Sequence, residues 1–194
     1  MTGRTAIQER VAETILDVAA DLLARGGEPP SMADIAQAAG VSRATLYRYY
    51  PTRERLLAAL IATGLQTAAA RLAQADLDTV PVPEGIARLA RVVSAAGSKY
   101  AAVVSAFDPA GEVEQQIGTM IEALLQRGID DGTFRGDLTV DELGFVLGYL
   151  LQAAGRMAAE HQAGVEKAAA LVTSVFLHGT QNRQGPGQPP PRRR

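Results

Sequence analysis

The stretch from Ser31 to Arg55, SMADIAQAAGVSRATLYRYYPTRER, holds two helix starts and one helix stop in close succession. Ser31 is a good N-cap, because its side-chain oxygen can accept from a free N–H of the first turn, and Asp34 completes a capping-box-like pair. Met32, Ile35, Ala36 and Ala39 recur on one face of the short helix this predicts. Gly40 stands where a helix is best ended by a residue free to adopt positive φ. Ser42 caps again at once, and Val41 and Leu46 have the spacing of a hydrophobic staple, which sets the entry angle of the next helix. Helix, glycine turn and second helix make up the helix-turn-helix plan, whose second helix enters the DNA major groove.

The second helix carries side chains suited to that groove. Arg43, Ala44 and Thr45 occupy its first turn, where base edges are met, and Tyr47, Arg48 and Tyr49 follow. Hydroxyls and guanidinium groups donate to phosphate oxygens, and Arg can also fork onto a guanine edge. Three tyrosines at 47, 49 and 50 cannot all face one way on a helix, so Tyr47 or Tyr49 is expected at phosphate and Tyr50 in the core. Ser31, Ser42, Arg43, Ala44, Thr45, Tyr47, Arg48, Tyr49 and Arg53 form the candidate DNA-binding set.

At this point the chain resembles the TetR family of bacterial transcriptional regulators. The resemblance is carried by Ile35-Ala36, Gly40-Val41-Ser42, Leu46-Tyr47, Tyr50, Glu54 and Leu56-Leu57, within the first third of the chain. It departs at Tyr50, where the family usually has Phe, at Pro51, which removes a polar or basic contact, and at Arg55, where relatives often have Glu. It implies an all-α chain: an N-terminal three-helix helix-turn-helix DNA-binding domain and a C-terminal helical ligand-binding and dimerisation domain. The expected boundaries are 1–51 for the DNA-binding domain, 52–75 for a connecting helix, 76–180 for the regulatory domain and 181–194 for a disordered tail.

Composition is consistent with closely packed helices: 47% of the 194 residues are hydrophobic, alanine is abundant and aromatics are only 5%. Without cysteine there is no disulfide and no thiolate-ligated zinc. The net charge of −2 argues against a protein that coats nucleic acid. The segment from Val41 to Arg55 is nevertheless locally basic, with the compensating acid at Asp130, Asp131, Asp137, Asp141 and Glu142. Glu13, Asp17 and Asp21 interrupt the apolar N-terminal stretch, so it does not read as a signal peptide. Leu143–Leu151 is about half a membrane span, and a soluble, cytoplasmic protein is expected.

Residues 1–6 are expected to form an arm carrying Arg4 and Thr5, either reaching DNA or frayed. Ile7, Val11, Ile15, Val18 and Leu22 then trace one face of a helix that ends near Gly26-Gly27. A long helix from Thr52 to about Gln74 would belong to both halves, with Pro81 and Pro83 closing the connection after it. Further helices are expected over 84–97, 99–107, 111–130, 139–160 and 165–178, with 128–137 a surface connection. Gly144, Gly148 and Gly155 suggest close approach of another helix, and the apolar surplus of the last two helices suggests a homodimer about a two-fold axis.

No nucleophile elbow, P-loop or dinucleotide fingerprint is present, and no enzyme, cofactor or metal is expected; His161 and His178 lack a metal-binding pattern. The resemblance implies a small-molecule effector. Tyr100, Phe107, Met120, Tyr149, Gln152 and Met157 are the candidate pocket residues, apolar walls with a few polar handles. The function so implied is a repressor released from a palindromic double-stranded DNA operator by an effector. The alternatives are an activator, or a small-molecule-binding protein with vestigial DNA binding.

Overall fold

The computed structural model describes residues 2–25, 28–104, 112–159 and 163–182. Eight α-helices and no named strand occur among them: α1 (Thr2–Ala24), α2 (Met32–Ala38), α3 (Arg43–Tyr49), α4 (Arg53–Ala73), α5 (Val82–Val104), α6 (Glu112–Asp130), α7 (Val140–Ala159) and α8 (Val165–Thr180). The chain is all-α, as its composition and capping signals predict. The expected N-terminal arm is a correction, since α1 is already helical from Thr2. Two helices expected at 84–97 and 99–107 are one, α5, whose Gly97-Ser98 pair stays helical. Pro83 does not delay it, because a first-turn residue has no intrahelical acceptor for the N–H that proline lacks. Phe107 and His161, together with the tail from 183, lie outside the described residues.

Two apolar clusters organise the helices. The first gathers Ile15, Ala19 and Ala20 of α1, Ile35 and Ala36 of α2, Leu46 of α3, Tyr50, and Leu56 and Leu60 of α4. Two short helices bury little area by themselves, so α1 and the start of α4 supply the rest of this core. The second is larger and holds Leu72 at the end of α4, Ile86 and Leu89 of α5, Leu125 of α6, Leu143 and Leu147 of α7, and Val172 and Phe176 of α8. Within it, α5 packs most extensively on α7 and α8. Helix α4 has the length and hydropathy of a membrane span, but Leu56 and Leu60 are buried in the first core and Leu72 in the second.

The connection over 128–137 is anchored more firmly than a surface loop. Phe134 is fully buried, its ring meeting that of Phe176 edge-on at 5.7 Å between centroids. Backbone bonds from Arg135 N to Thr180 O (2.8 Å) and Asn182 N to Thr133 O (3.0 Å) pair this loop with the end of α8. Gly128 is required there, because a Cβ would stand 2.3 Å from the Phe134 ring. The glycines expected to mark close approach behave differently: a Cβ at Gly144 would make an ordinary 3.7 Å contact, and one at Gly148 would meet nothing. Phe134→Ala should cost about 3–5 kcal/mol, the range for a fully buried aromatic. Urea unfolding of the variant against the parent chain measures it.

Candidate nucleic-acid interface

The helix-turn-helix is assembled from local bonds. Ser31 Oγ accepts from Asp34 N at 3.2 Å while Ser31 N donates to Asp34 Oδ2 at 2.9 Å, a reciprocal capping box. These Ser31 hydrogen bonds, and then the charge of Arg43, hold the Asp34 carboxyl below its ordinary value of 3.8. At the other end of α2, Gly40 adopts φ +67°. Its N–H reaches Gln37 O and that of Val41 reaches Ala36 O, the paired bonds of a Schellman ending. Ser42 Oγ then accepts from Thr45 N at 3.1 Å, while Val41 and Leu46 join the first core. The turn between the helices is therefore set at both ends before any DNA is present.

The buried Leu46 turns the rest of α3 outward. Arg43, Ala44, Tyr47 and Arg48 are exposed, with Tyr47 at 47%, and Thr45 is half-buried. Tyr49 packs partly against the core, and the Arg48 guanidinium stands 5.3 Å from its ring centroid, within cation–π range. Tyr50 is in the core, and burial pushes its hydroxyl up, so it remains a donor. It donates to Ala12 O of α1 at 3.3 Å, which gives a partner to the hydroxyl that Phe would lack.

Besides Ser42, which caps α3, two further candidates have employment within the protein. Ser31 serves the cap of α2, and Arg53 donates to Pro30 O, tying the first turn of α4 to the entry of α2. Thr52 caps α4 by accepting from Arg55 N at 3.3 Å. The side-chain hydrogen bond of Thr52 also holds the Glu54 carboxyl below its ordinary range, so the acidic partner of this cap lies one residue before Arg55.

The candidate pocket residues are dispersed. Met120 lines a cavity of about 470 Å³ between α4 and α6, and Met157 is partly buried against the second core. Tyr149, at 60% exposure, and Gln152 stand on the outer face of α7. Tyr100 lies on the backbone of α5, its side chain outside the described residues. His178 Nδ1 is 2.7 Å from Ser174 O, so that nitrogen carries the proton and donates one turn back. Among the described residues no group of three or more His, Cys, Asp or Glu could hold a metal ion.

An outward-facing second helix, locked at a fixed angle to the first, defines a helix-turn-helix DNA-binding domain. The family of bacterial regulatory proteins, tetR family, matches residues 15–60. Over 82 residues the chain is 39% identical to the HTH-type transcriptional repressor LfrR of Mycolicibacterium smegmatis, an alignment spanning 42% of this chain and only 43% of that relative. The crystal structure of the TetR-like regulator LfrR from Mycobacterium smegmatis in complex with proflavine has 28% identity and a TM-score of 0.69, over 89% of this chain and 97% of that one. The fold also matches the TetR-family regulator PfmR from Thermus thermophilus, at 22% identity and TM-score 0.66, over 84% of this chain and 97% of that one. Residues 15–60 thus match the DNA-binding domain of the TetR family of bacterial regulatory proteins, and the chain as a whole has the fold of TetR-like regulators.

Ser42→Ala should destabilise the chain by about 1 kcal/mol, the usual loss when an N-cap side chain is removed, as read from the urea midpoint. Asp34 has a lower value folded than unfolded. Its contribution to stability is thus complete above 3.8 and disappears as the pH falls through the lower, folded-state value. Asp34→Asn should flatten stability across that acid window, measured by unfolding at a series of pH values.

Proposed function

We propose that the chain is a homodimeric repressor that reads a palindromic operator with α3 and releases it when a small molecule binds among the helices of the second core. The carrying observation is the exposed row Arg43, Ala44, Tyr47 and Arg48 on a helix whose buried side is anchored by Leu46. Arg43, Ala44, Thr45 and Arg48 are assigned to base edges and nearby backbone, and Tyr47 and Tyr49 to phosphates, with Ser42 at the entry of the helix. Ser31 and Arg53 would contact phosphate only from their positions in the α2 cap and the α4 first turn. Domain limits at 51, 75 and 180 are part of this reading, as is a cytoplasmic location, where the operator is.

Dimerisation is supported by unpartnered apolar surface. Phe145 is 67% exposed and stacks edge-on with Tyr149 at 4.8 Å, and Val146, Leu171 and Val175 are also exposed. Large side chains left in water on two adjacent helices suit a self-complementary interface. A dimer would hold two copies of α3 at one helical turn or a multiple, about 34–36 Å for one turn. The relative LfrR is named a repressor, and its structure holds proflavine, which supports repression and an effector here. An effector shifts DNA affinity only by its differential affinity for the two states.

Selection of bound duplexes from a random library should return a palindrome, with log affinity falling linearly as log salt rises. Absence of both an enriched sequence and a salt slope overturns the reading. Arg48→Ala should cost about 1–3 kcal/mol and relax one operator position if Arg48 forks onto guanine, whereas uniform loss on all sequences makes it a phosphate contact. Phe145→Glu should shift the chain to monomer in sedimentation and weaken binding to the full palindrome far more than to a single half-site.

A further inference from the structure

The connection between α4 and α5 is held by two arginines from elsewhere in the fold. Arg88 of α5 donates to Ala75 O at 2.9 Å and pairs with Glu84 at 3.0 Å. Arg127 of α6 forks onto the carbonyls of Asp78 and Val80, the second bond measuring 2.7 Å. Between these anchors Asp76 sits at φ +49°, in the left-handed region that a non-glycine residue occupies at a cost. The two guanidinium groups thus hold a turn that leads directly into the end of α4.

Arg127 has a second position in the structure. It lines the cavity of about 470 Å³ between α4 and α6, together with Leu72, Leu77, Met120, Leu124 and Asp78. That volume is ordinary for a small-molecule site, and the leucines and Met120 offer it an apolar interior. The Asp78 and Val80 carbonyls accept two of the five guanidinium N–H groups of Arg127, which leaves three for an occupant of the cavity. An anionic acceptor suits this guanidinium best, because charge-assisted bonds are about twice as strong as neutral ones. The Asp78 carboxylate opposes an anion, but it lies on the exposed rim, where water and salt screen it.

We infer that this cavity binds an amphipathic carboxylate, with its head on Arg127 and its apolar body against Leu72, Leu77, Met120 and Leu124, and that the bound anion competes with the Asp78 and Val80 carbonyls for the guanidinium and so loosens the α4–α5 turn from α6. This rests on the effector reading above and gives that effector a chemical class. The charge on the ligand, not its apolar bulk, would be what is sensed.

The test titrates the full chain with decanoate, 1-decanol and decylamine, each below its micelle-forming concentration, by calorimetry. Decanoate should bind at least tenfold more tightly than the other two, and Arg127→Gln should abolish that preference. Ala123→Trp, which fills the cavity from α6, should abolish binding of decanoate in a chain with unchanged helicity. Equal affinity for the three probes, preference for decylamine, or decanoate binding that survives Ala123→Trp overturns the inference. Operator binding, measured in parallel, separates the two readings. Decanoate binding by a chain that never binds DNA overturns repression alone, whereas operator binding without a decanoate preference overturns only the ligand class.

Discussion

One unbroken helix, α4, belongs to two cores at once. Leu56 and Leu60 near its start are buried with α1, α2 and α3, and Leu72 near its end is buried with α5 through α8. Between them Gly64, Ala68 and Ala69 are buried too, so the middle of the helix is packed rather than free to bend. A rigid rod anchored in this way cannot relax at one end without loading the other. The first turn is capped by Thr52 just after the recognition helix, and the last runs into the turn that Arg88 and Arg127 hold. The ligand effect proposed above would reach the recognition helix through the ends of α4.

Much of the DNA-binding half was legible because its signals are local. The caps at Ser31 and Ser42 and the stop at Gly40 each depend on residues a few positions apart and have their expected geometry, and Val41 and Leu46 join one core as the staple spacing requires. The core placement of Tyr50 followed from the impossibility of three tyrosines sharing one face. Its hydrogen bond to Ala12, across 38 positions of sequence, has no local signature.

The second half was less legible for the complementary reason. Periodicity shows that a helix has an apolar face without saying what covers it. Tyr149 and Met120 look alike in the sequence, yet one stands in solvent and the other lines a cavity. Phe134 sits among Gly, Asp and Thr, a composition that signals a loop, and only the arrival of the α8 end explains its burial. Likewise Gly85 and Gly128 abut Leu124 and Phe134, contacts that no reading along the helix could supply, whereas the glycine stripe of α7 includes Gly148 in the open.

The placement of the tyrosines has an optical consequence. The chain has no tryptophan, and three of its five tyrosines fall between positions 47 and 50. One is open to water, one lies under a guanidinium and one is sealed in the core. The ultraviolet emission of the unlabelled protein therefore originates in large part within or beside the helix assigned to the major groove. Nature has placed the reporter group at the working surface, so the state of that surface can be followed by light without attaching a dye.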